Sequence, residues 1–343
     1  MHAQKILIVE VNWLGDVLFS TPFIRAVRNN FPDAYIACMV APRCVEILEG
    51  NPNINDIIIY DEDGAHKGLF GKIWFAIQLK KRCFDTVFFL HRSFTRALLA
   101  YLAGIPQRIG YYTPKRAFLL TDRFKPAIGN FHRAKFYLNL LEAVELKTDD
   151  KGCDFFIDSK DTAWADEFLK RIGVKATDKI IVFNPGGNWP PKRWPAGNFA
   201  MLAEKMLASF RGAAKILISG SKKDLKLAED IQDKAGQNLI ILCGQATLKQ
   251  TAAIFKKADV VISGDSGPLH IAVSVGAKVI GLFGPTSTSI TGPYMADDRK
   301  LIILQKDIIR CKIPCYSPNC HDYGCMSAIT AEEVFEAVKK IVG

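Results

Sequence analysis

A chain of 343 residues, 49% of them hydrophobic, is long for one core and natural for two ordinary domains, which excludes intrinsic disorder. No uncharged apolar run reaches the roughly 20 residues that a membrane-spanning helix needs, and the N-terminal segment MHAQKILIVEVNWLGD lacks a signal-peptide pattern. We therefore expect a cytoplasmic protein whose contact with a membrane, where it occurs, is peripheral.

Strand-like and helix-like segments alternate along the chain. In the first half, KILIVEV (5–11) precedes a helical stretch, and the apolar runs AYIACMV, NDIIIY and DTVFFL continue the series. A second series begins at KIIVFN (179–184) and continues with AKILISG, LIILCG, DVVISG and KVIGLFG. This alternation predicts an α/β fold made of two doubly wound, Rossmann-like units with parallel sheets.

The segment near 172–178 is polar and separates the two series, so it predicts the domain boundary. We expect an N-terminal domain at 1–175 and a C-terminal domain at 176–328. A final helix at 329–343 can cross back to the first domain. Open α/β sheets bind ligands at the carboxyl ends of their strands, so each unit offers one such edge.

The formal charge of +10 is unevenly distributed. Between positions 91 and 135 the chain carries one acid, Asp122, and nine basic residues: Arg92, Arg96, Arg108, Lys115, Arg116, Arg123, Lys125, Arg133 and Lys135. Such a block suits an anionic partner, which could be nucleic acid, lipid headgroups or a phosphorylated glycan. The alternative is a solvated basic face with no specific partner.

The stretch SGDSGPLH (263–270) follows an apolar run and precedes the small-residue segment AVSVGAKV. It therefore lies between a predicted strand and a predicted helix, where free backbone N–H groups favour an anion, and we expect a phosphate here. Two nucleotide-binding motifs are absent from the sequence. The lack of GxGxxG argues against a dehydrogenase, and the lack of GxxxxGK[ST] argues against a P-loop NTPase.

Three long segments resemble the bacterial lipopolysaccharide heptosyltransferases of glycosyltransferase family 9. They are ILIVEVNWLGDVLFSTPFIRAVRNNFPDA, NPGGNWPPKRWPAGNFAMLA and SGDSGPLHIAVSVGAKVIGLFGPTSTSITGPY, and KRWP with a cysteine-containing tail is most similar to the heptosyltransferase II branch. The resemblance implies a GT-B fold, in which two Rossmann-like domains face each other across a cleft. It also implies inverting transfer of heptose from ADP-heptose to the inner core of lipopolysaccharide, without a metal or another cofactor.

The same resemblance implies an acceptor made of lipid A and Kdo, or a heptosylated inner core, at the inner face of the cytoplasmic membrane. Asp16 of the LGD motif matches the family's catalytic base. From the residues alone, Asp16 is equally typical of a helix N-cap, and both roles can coexist. Contacts to the anionic acceptor are expected from residues of the first domain: Asn12, Gly15, Arg92, Arg96, Lys115 and Arg116.

The donor is expected in the second domain. Lys192 of KRWP matches the family lysine that meets the diphosphate, and Arg193 adds a second cation, although both could be ordinary surface charges. Flexible backbone at Gly186, Gly187 and Asn188 permits close approach to a ligand.

By the same resemblance, the phosphates are wrapped by Ser266, Gly267, Pro268 and Leu269, and Asp265 accepts hydrogen bonds from the sugar hydroxyls. For His270 the choice lies between a structural and a catalytic role. The nucleoside is expected at two strand ends of the same edge: Ser221, Asp224, Thr247 and Leu248. Asp224 could bind the ribose or cap the following helix.

Two groups of residues suggest a metal. The triplet Asp61, Glu62 and Asp63 matches the DxD pattern of other glycosyltransferases, but short acidic triplets are common in solvated loops. The C-terminal tail carries five soft ligands that could hold structural zinc or an iron–sulfur cluster: Cys311, Cys315, Cys320, His321 and Cys325. Their spacing fits no standard zinc finger, so we expect no metal.

Two alternative functions remain at this point. One is an epimerase or a transferase that acts on a different nucleotide sugar with the same fold. The other is a binder of nucleic acid or anionic glycan without catalysis, which only the charge favours, because no RNA-binding motif is present.

Overall fold

The computed structural model describes residues 3–126, 129, 131–236, 239–295, 298–307, 311–317, 320 and 323–342. The chain forms two compact units, Met1–Phe156 and Ile157–Gly343. Each unit contains a six-stranded sheet with helices in the connections between its strands. The predicted α/β class with two doubly wound units is confirmed.

The first unit alternates strands and helices in chain order. Its elements are β1 (Lys5–Val9), α1 (Leu14–Asn30), β2 (Tyr35–Val40), α2 (Val45–Leu48), β3 (Asp56–Ile59), α3 (Gly68–Lys81), β4 (Thr86–Phe89), α4 (Phe94–Leu102), β5 (Gln107–Tyr111), β6 (Asp122–Phe124) and α5 (Arg133–Glu142). The sheet order is β3-β2-β1-β4-β5-β6, and all of these pairings are parallel.

The second unit begins with a helix and then repeats the same alternation. Its elements are α6 (Ser159–Arg171), β7 (Lys179–Asn184), α7 (Ala196–Ser209), β8 (Ala214–Ile218), α8 (Leu225–Ala235), β9 (Leu239–Ile241), α9 (Leu248–Lys257), β10 (Val260–Gly264), α10 (Gly267–Ser274), β11 (Val279–Phe283), α11 (Thr288–Thr291), β12 (Leu301–Gln305), α12 (Gly324–Ser327) and α13 (Ala331–Val342). The order β12-β11-β10-β7-β8-β9 is again fully parallel.

The central strands of both sheets are buried. Residues 6–9 of β1 and all of β10 are buried, as expected for parallel strands covered on both faces. In each unit the strand order reverses beside the first strand, between β1 and β4 and between β7 and β10. Loops that leave the two strands diverge at such a point, so the carboxyl ends there form a crevice suited to a ligand.

The boundary between the units lies after Phe156, earlier than the predicted boundary at residue 175. Helix α6 was expected to close the first domain, but it belongs to the second unit because it packs against α9. Lys257 on α9 forms an ion pair of 2.7 Å with Asp166 on α6. The partner of α6 lies far along the chain, so local sequence could not assign the helix to its unit.

The last helix, α13, packs on α7 and on strands β10, β11 and β12 of the second unit. Val334 and Val338 are fully buried there, in the same cluster as Met326 and Ile329. Trp194 is also buried and donates its indole hydrogen bond to the carbonyl of Ile329 at 2.8 Å. The C-terminal segment that was expected to be able to cross back to the first domain is therefore part of the second unit's core.

Among the residues that the structure describes, no helix has the length and apolar character needed to cross a membrane.

Replacement of Val338 by Ala should lower the free energy of unfolding of the protein by about 1–3 kcal/mol, because it opens a cavity in a fully buried site. Urea unfolding followed by circular dichroism measures this change. Lys340→Ala on the exposed side of the same helix is the matched control and should change stability by less than about 0.5 kcal/mol. An equal effect of both substitutions would contradict the packing of α13.

Candidate active site

A buried network of polar side chains lies where the strand order of the second sheet reverses, between β7 and β10. Asn184, the last residue of β7, donates hydrogen bonds to Ser263 at 3.0 Å and to Ser266 at 3.2 Å. Ser219, just after β8, donates to the side-chain amide oxygen of Asn184 at 3.3 Å. These contacts join the ends of three strands and hold the start of α10 in place. Sequence reasoning missed Asn184 and Ser263, although each is the polar end of an apolar strand run.

Asp265 is the central group of this edge. Its Oδ2 atom lies 2.6 Å from Lys192 Nζ, accepts a hydrogen bond of 2.6 Å from Thr286 and a longer one of 3.4 Å from Thr291. Its Oδ1 atom lies 3.4 Å from Nε2 of His270. Burial by itself raises the pKa of Asp265, but the hydrogen bond and charge of His270 and the charge of Lys192 outweigh it, so the pKa lies well below its usual range.

The pair of Lys192 and Asp265 places a cation at the start of α10. Lys192 ends a short helical turn, 190–192, and keeps 23% of its side chain exposed, whereas the Asp265 side chain is only 4% exposed. A Cβ atom on Gly264 would lie 2.8 Å from the carbonyl oxygen of Lys192, so glycine is needed for this approach of the loop to β10. An exposed ammonium beside a helix N-terminus favours an anion.

The residues expected to wrap a phosphate separate into two groups. Ser266, Gly267 and Pro268 are partly exposed at the first turn of α10. Leu269 is fully buried, and its N–H donates to the carbonyl of Ser266 at 3.1 Å. Its side chain belongs to the core, and a phosphate contact through its backbone stays a prediction. His270 is likewise buried against Asp265, which supports its structural role.

The PGGN loop after β7 is braced by Arg193. Both Nε and Nη2 of Arg193 donate to the carbonyl of Gly187, at 2.9 and 2.6 Å. These bonds direct the guanidinium toward the loop, of which Gly187 and Asn188 are part. A Cβ atom on Gly186 would lie 2.5 Å from Asp224 Oδ1, so the loop passes close to the turn 222–224.

Three of the four residues expected near the nucleoside take part in capping boxes at helix starts. Asp224 Oδ2 accepts a hydrogen bond of 2.9 Å from the Ser221 backbone N–H, which belongs to a capping box with Ser221, and a further one of 2.7 Å from the Ser221 hydroxyl. Thr247 caps α9 with Gln250 in the same way, and Leu248 is the partly buried first residue of that helix. Of the two roles considered for Asp224, the structure contains the capping role, and ribose binding stays a prediction.

In the first unit, Asp16 lies in the first turn of α1. The N-cap of this helix is Trp13 and has no capping side-chain bond, so the alternative prediction that Asp16 is the N-cap is wrong. Asp16 keeps 29% of its side chain exposed, and its Oδ1 atom lies 3.3 Å from Nε of Arg133. Gly15, just before it, is also partly exposed. A partly exposed carboxylate in the first turn of a helix can accept a proton.

Arg96 was expected to contact the acceptor, but its side chain is almost fully buried. It donates hydrogen bonds of 2.6 Å to the Glu10 carbonyl and to the Asn12 side chain, and it lies 3.3 Å from Glu62. All of these partners are internal. The expectation is therefore corrected: Arg96 holds Asn12 in place. Asn12 also donates to Glu62 at 3.2 Å.

Arg116 requires the same correction. Its side chain is fully buried and donates hydrogen bonds of 2.5 and 2.7 Å to the carbonyls of His91 and Tyr111. Burial, together with the charge of Arg92, lowers the pKa of Arg116 to about 10. Of the four basic residues expected at the acceptor, Arg92 and Lys115 are exposed and Arg96 and Arg116 are internal.

Glu10, just after β1, was not expected to be a special residue. It is fully buried, accepts a hydrogen bond of 2.8 Å from Ser20 and has its Oε1 atom without a hydrogen-bond partner among the described residues. Burial raises the pKa of Glu10 to about 8, against the lowering effects of Ser20 and Arg96. The single acid inside the apolar run KILIVEV is the signal that could have identified it.

The tail cysteines lie together. Cys311, Cys315, Cys320 and Cys325 line one small cavity and are free thiols. Burial raises the pKa of Cys325, and the neighbouring Cys311 and Cys320 raise it further. His321 lies outside the described residues. Within the described part of the chain, no three His, Cys, Asp or Glu side chains are placed to hold a metal, and this includes the acidic triplet at 61–63.

Comparison with known proteins decides the family. The model of glycosyltransferase family 9 (heptosyltransferase) matches residues 74–318, more than half of the chain. The chain belongs to glycosyltransferase family 9. It is therefore an enzyme that transfers a glycosyl group, and the alternative of a binder without catalysis is set aside.

Relatives and solved structures agree with this assignment. The lipooligosaccharide heptosyltransferase 2 of Haemophilus ducreyi is 28% identical over 303 residues, which cover 84% of this chain and 86% of that protein. A family 9 glycosyl transferase structure from Veillonella parvula has a TM-score of 0.88 at 27% identity, covering 100% of this chain and 98% of that one. The E. coli ADP-heptose lps heptosyltransferase II structure has a TM-score of 0.81 at 22% identity, covering 99% and 98%, and confirms the GT-B fold.

Stability should decrease as pH rises from about 5 to about 8 because of Glu10. The pKa of Glu10 rises from 4.5 to about 8 on folding, so in this window the folded chain holds one proton more than the unfolded chain. The stabilisation that the extra proton gives the folded chain is complete below the lower pKa and is lost as pH approaches the higher pKa. Glu10→Gln stays neutral, so its stability relative to wild type should improve across the window by on the order of 3–5 kcal/mol.

Urea unfolding at pH 5, 6, 7 and 8 measures this difference. Glu167→Gln on the exposed face of α6 is the control and should keep the wild-type pH dependence. Parallel curves for Glu10→Gln and wild type would show that Glu10 is already ionised in the folded chain.

Proposed function

We propose that this chain is an inverting, metal-independent heptosyltransferase that moves heptose from ADP-heptose to the inner core of lipopolysaccharide. The observation that carries the proposal is the pair of Lys192 and Asp265 at the N-terminus of α10. It supplies a fixed, partly exposed cation next to backbone donors, which suits a diphosphate leaving group.

The reaction can be assigned to residues step by step. The acceptor oxygen attacks the anomeric carbon of heptose while the bond from that carbon to the β-phosphate oxygen breaks, and its electron pair leaves with ADP. The transition state resembles an oxocarbenium ion, so negative charge grows on the diphosphate. Lys192 and the first turn of α10 stabilise that charge, which is the role a divalent cation has in other transferases.

Asp16 accepts the proton of the attacking hydroxyl. Its carboxylate is partly exposed at the carboxyl edge of the first sheet, with Oδ1 3.3 Å from Nε of Arg133, and a carboxylate in this position can act as a base. Attack from the face opposite the leaving group inverts the anomeric centre. The products are ADP and the heptosylated acceptor.

The acceptor that suits this first unit is anionic and lipid-linked. Arg92 and Lys115 are exposed cations, and the guanidinium of Arg92 is held 5.1 Å from the ring centre of Phe136. Lipid A phosphates and Kdo carboxylates match these charges. The relatives named for lipopolysaccharide or lipooligosaccharide support this class of acceptor, and we place the reaction at the cytoplasmic face of the inner membrane.

Replacement of Asp16 by Asn should reduce kcat for heptose transfer by about 10²–10⁴ with a small change in donor affinity, because the amide cannot accept the proton. Transfer from ADP-heptose to a Kdo-containing acceptor, followed by ADP release in EDTA, measures this. Proton NMR of the new linkage reports whether the anomeric centre is inverted.

Asp63→Asn, an exposed acid of the triplet in the same unit, is the matched control and should retain wild-type rates. Full activity of Asp16→Asn would refute the proposed base. Loss of wild-type activity in EDTA would refute metal independence, and ADP release without acceptor would favour another reaction.

A further inference from the structure

The outward face of α3 carries five large apolar side chains in solvent. Phe70 is 87% exposed, Leu69 70% and Trp74 56%, and Ile73 and Ile77 are about half exposed. Their spacing of one, four, five and eight positions places all five on one side of the helix. We refer to these five side chains as the α3 face.

The opposite side of the same helix is already packed. Phe75, Ala76 and Leu79 are buried in the core cluster of the first unit. The α3 face is therefore an additional apolar surface that the core does not use. A contiguous exposed cluster of this size is rare on a monomeric protein and marks an interaction site.

The segment that carries the α3 face, residues 64–84, has charges of a single sign. From residue 64 to 84 the chain has no Asp or Glu and five basic residues, of which Arg82 pairs with Asp56. The other four are Lys67, Lys72, Lys80 and Lys81, and none of them has an acidic partner in the part of the chain that the structure describes. Lys80 and Lys81 end the helix, are exposed, and lie three and four positions after Ile77.

We propose that the α3 face docks this protein on an anionic lipid bilayer. The apolar side chains lie in the headgroup and acyl boundary, Trp74 sits at the interface that tryptophan prefers, and the lysines meet the lipid phosphates. An apolar stripe on a segment, residues 64–84, whose only charged residues are basic suits such a surface better than a second copy of this basic chain, because the lysines of two copies would repel each other.

The neighbouring helix α4 packs beside α3 and exposes Tyr101 and Leu102, which add apolar surface to the same unit. The inference goes beyond the proposed function and does not depend on it, since docking requires neither donor nor acceptor. Vesicle binding tests docking alone, whereas the transfer assay tests the chemistry, so the two can fail separately.

Co-sedimentation of the full chain with phosphatidylcholine vesicles, with and without 30% phosphatidylglycerol, tests the proposal. The wild type should bind the anionic vesicles, and added salt should weaken the binding because it screens the lysines. Phe70→Ser with Trp74→Ser should reduce the partition coefficient at least about tenfold. Lys80→Glu with Lys81→Glu should do so to a similar extent, and only on anionic vesicles.

Control variants lie on the second unit. Met201→Ser removes an exposed apolar side chain, and Lys223→Glu with Lys226→Glu reverses two exposed charges, so both should bind as wild type does. All substituted residues are at the surface, and thermal unfolding by circular dichroism verifies that each variant is folded.

Unchanged vesicle binding by both α3 variants would overturn the proposal. Sedimentation velocity supplies a second arm. If Phe70→Ser with Trp74→Ser converts a dimer to a monomer and leaves vesicle binding unchanged, the α3 face is an interface between copies, and lipid docking is refuted.

Discussion

The ion pair between Lys192 and Asp265 is the contact on which the second unit's site depends. Asp265 is buried, and it stays ionised because His270, Lys192 and two threonines surround it. Loss of one partner of a buried pair leaves an uncompensated charge and costs about 3–5 kcal/mol. The pair therefore links the loop after β7 to the start of α10. It lies at the point where the strand order of the sheet reverses.

Buried charge has a different function in the first unit. Arg96 and Arg116 donate to backbone carbonyls and side chains at the ends of β1, β4 and β5. Burial, with the charges of these two arginines, lowers the pKa of His91 to about 4, so the imidazole is neutral at pH 7. Two arginines of the basic block are thus buried and hold loops in place, whereas other residues of the block, such as Arg92 and Lys115, are exposed and can meet a partner.

The sequence was sufficient to predict individual strands and helices. It was insufficient to predict contacts between residues that lie far apart along the chain. Apolar runs predicted β1, β7 and β10, and the change from strand to small-residue helix located the start of α10. The LGD and KRWP segments, through family resemblance, identified Asp16 and Lys192. Burial of Arg96 and Arg116 could not be predicted, because their acceptors are carbonyls of strand ends that only the folded sheet brings together.

The same limit explains the boundary and the polar network. Helix α6 is amphipathic, and three strands and two helices separate it from its partner α9, so the pattern could not show which unit it joins. Asn184 and Ser263 end strands that are neighbours only because the sheet order reverses. Glu10 is a buried acid, whose effect depends on desolvation that no sequence pattern measures.

The most direct test of the account is calorimetric titration of the full chain with ADP and with UDP, in EDTA. We predict that ADP binds in preference to UDP and that Lys192→Ala weakens ADP binding by about 10- to 100-fold, the value of a charge-assisted hydrogen bond. Lys226→Ala on the surface of α8 should bind as wild type does. Absence of ADP binding, a preference for UDP or full affinity in Lys192→Ala would contradict the donor site at α10.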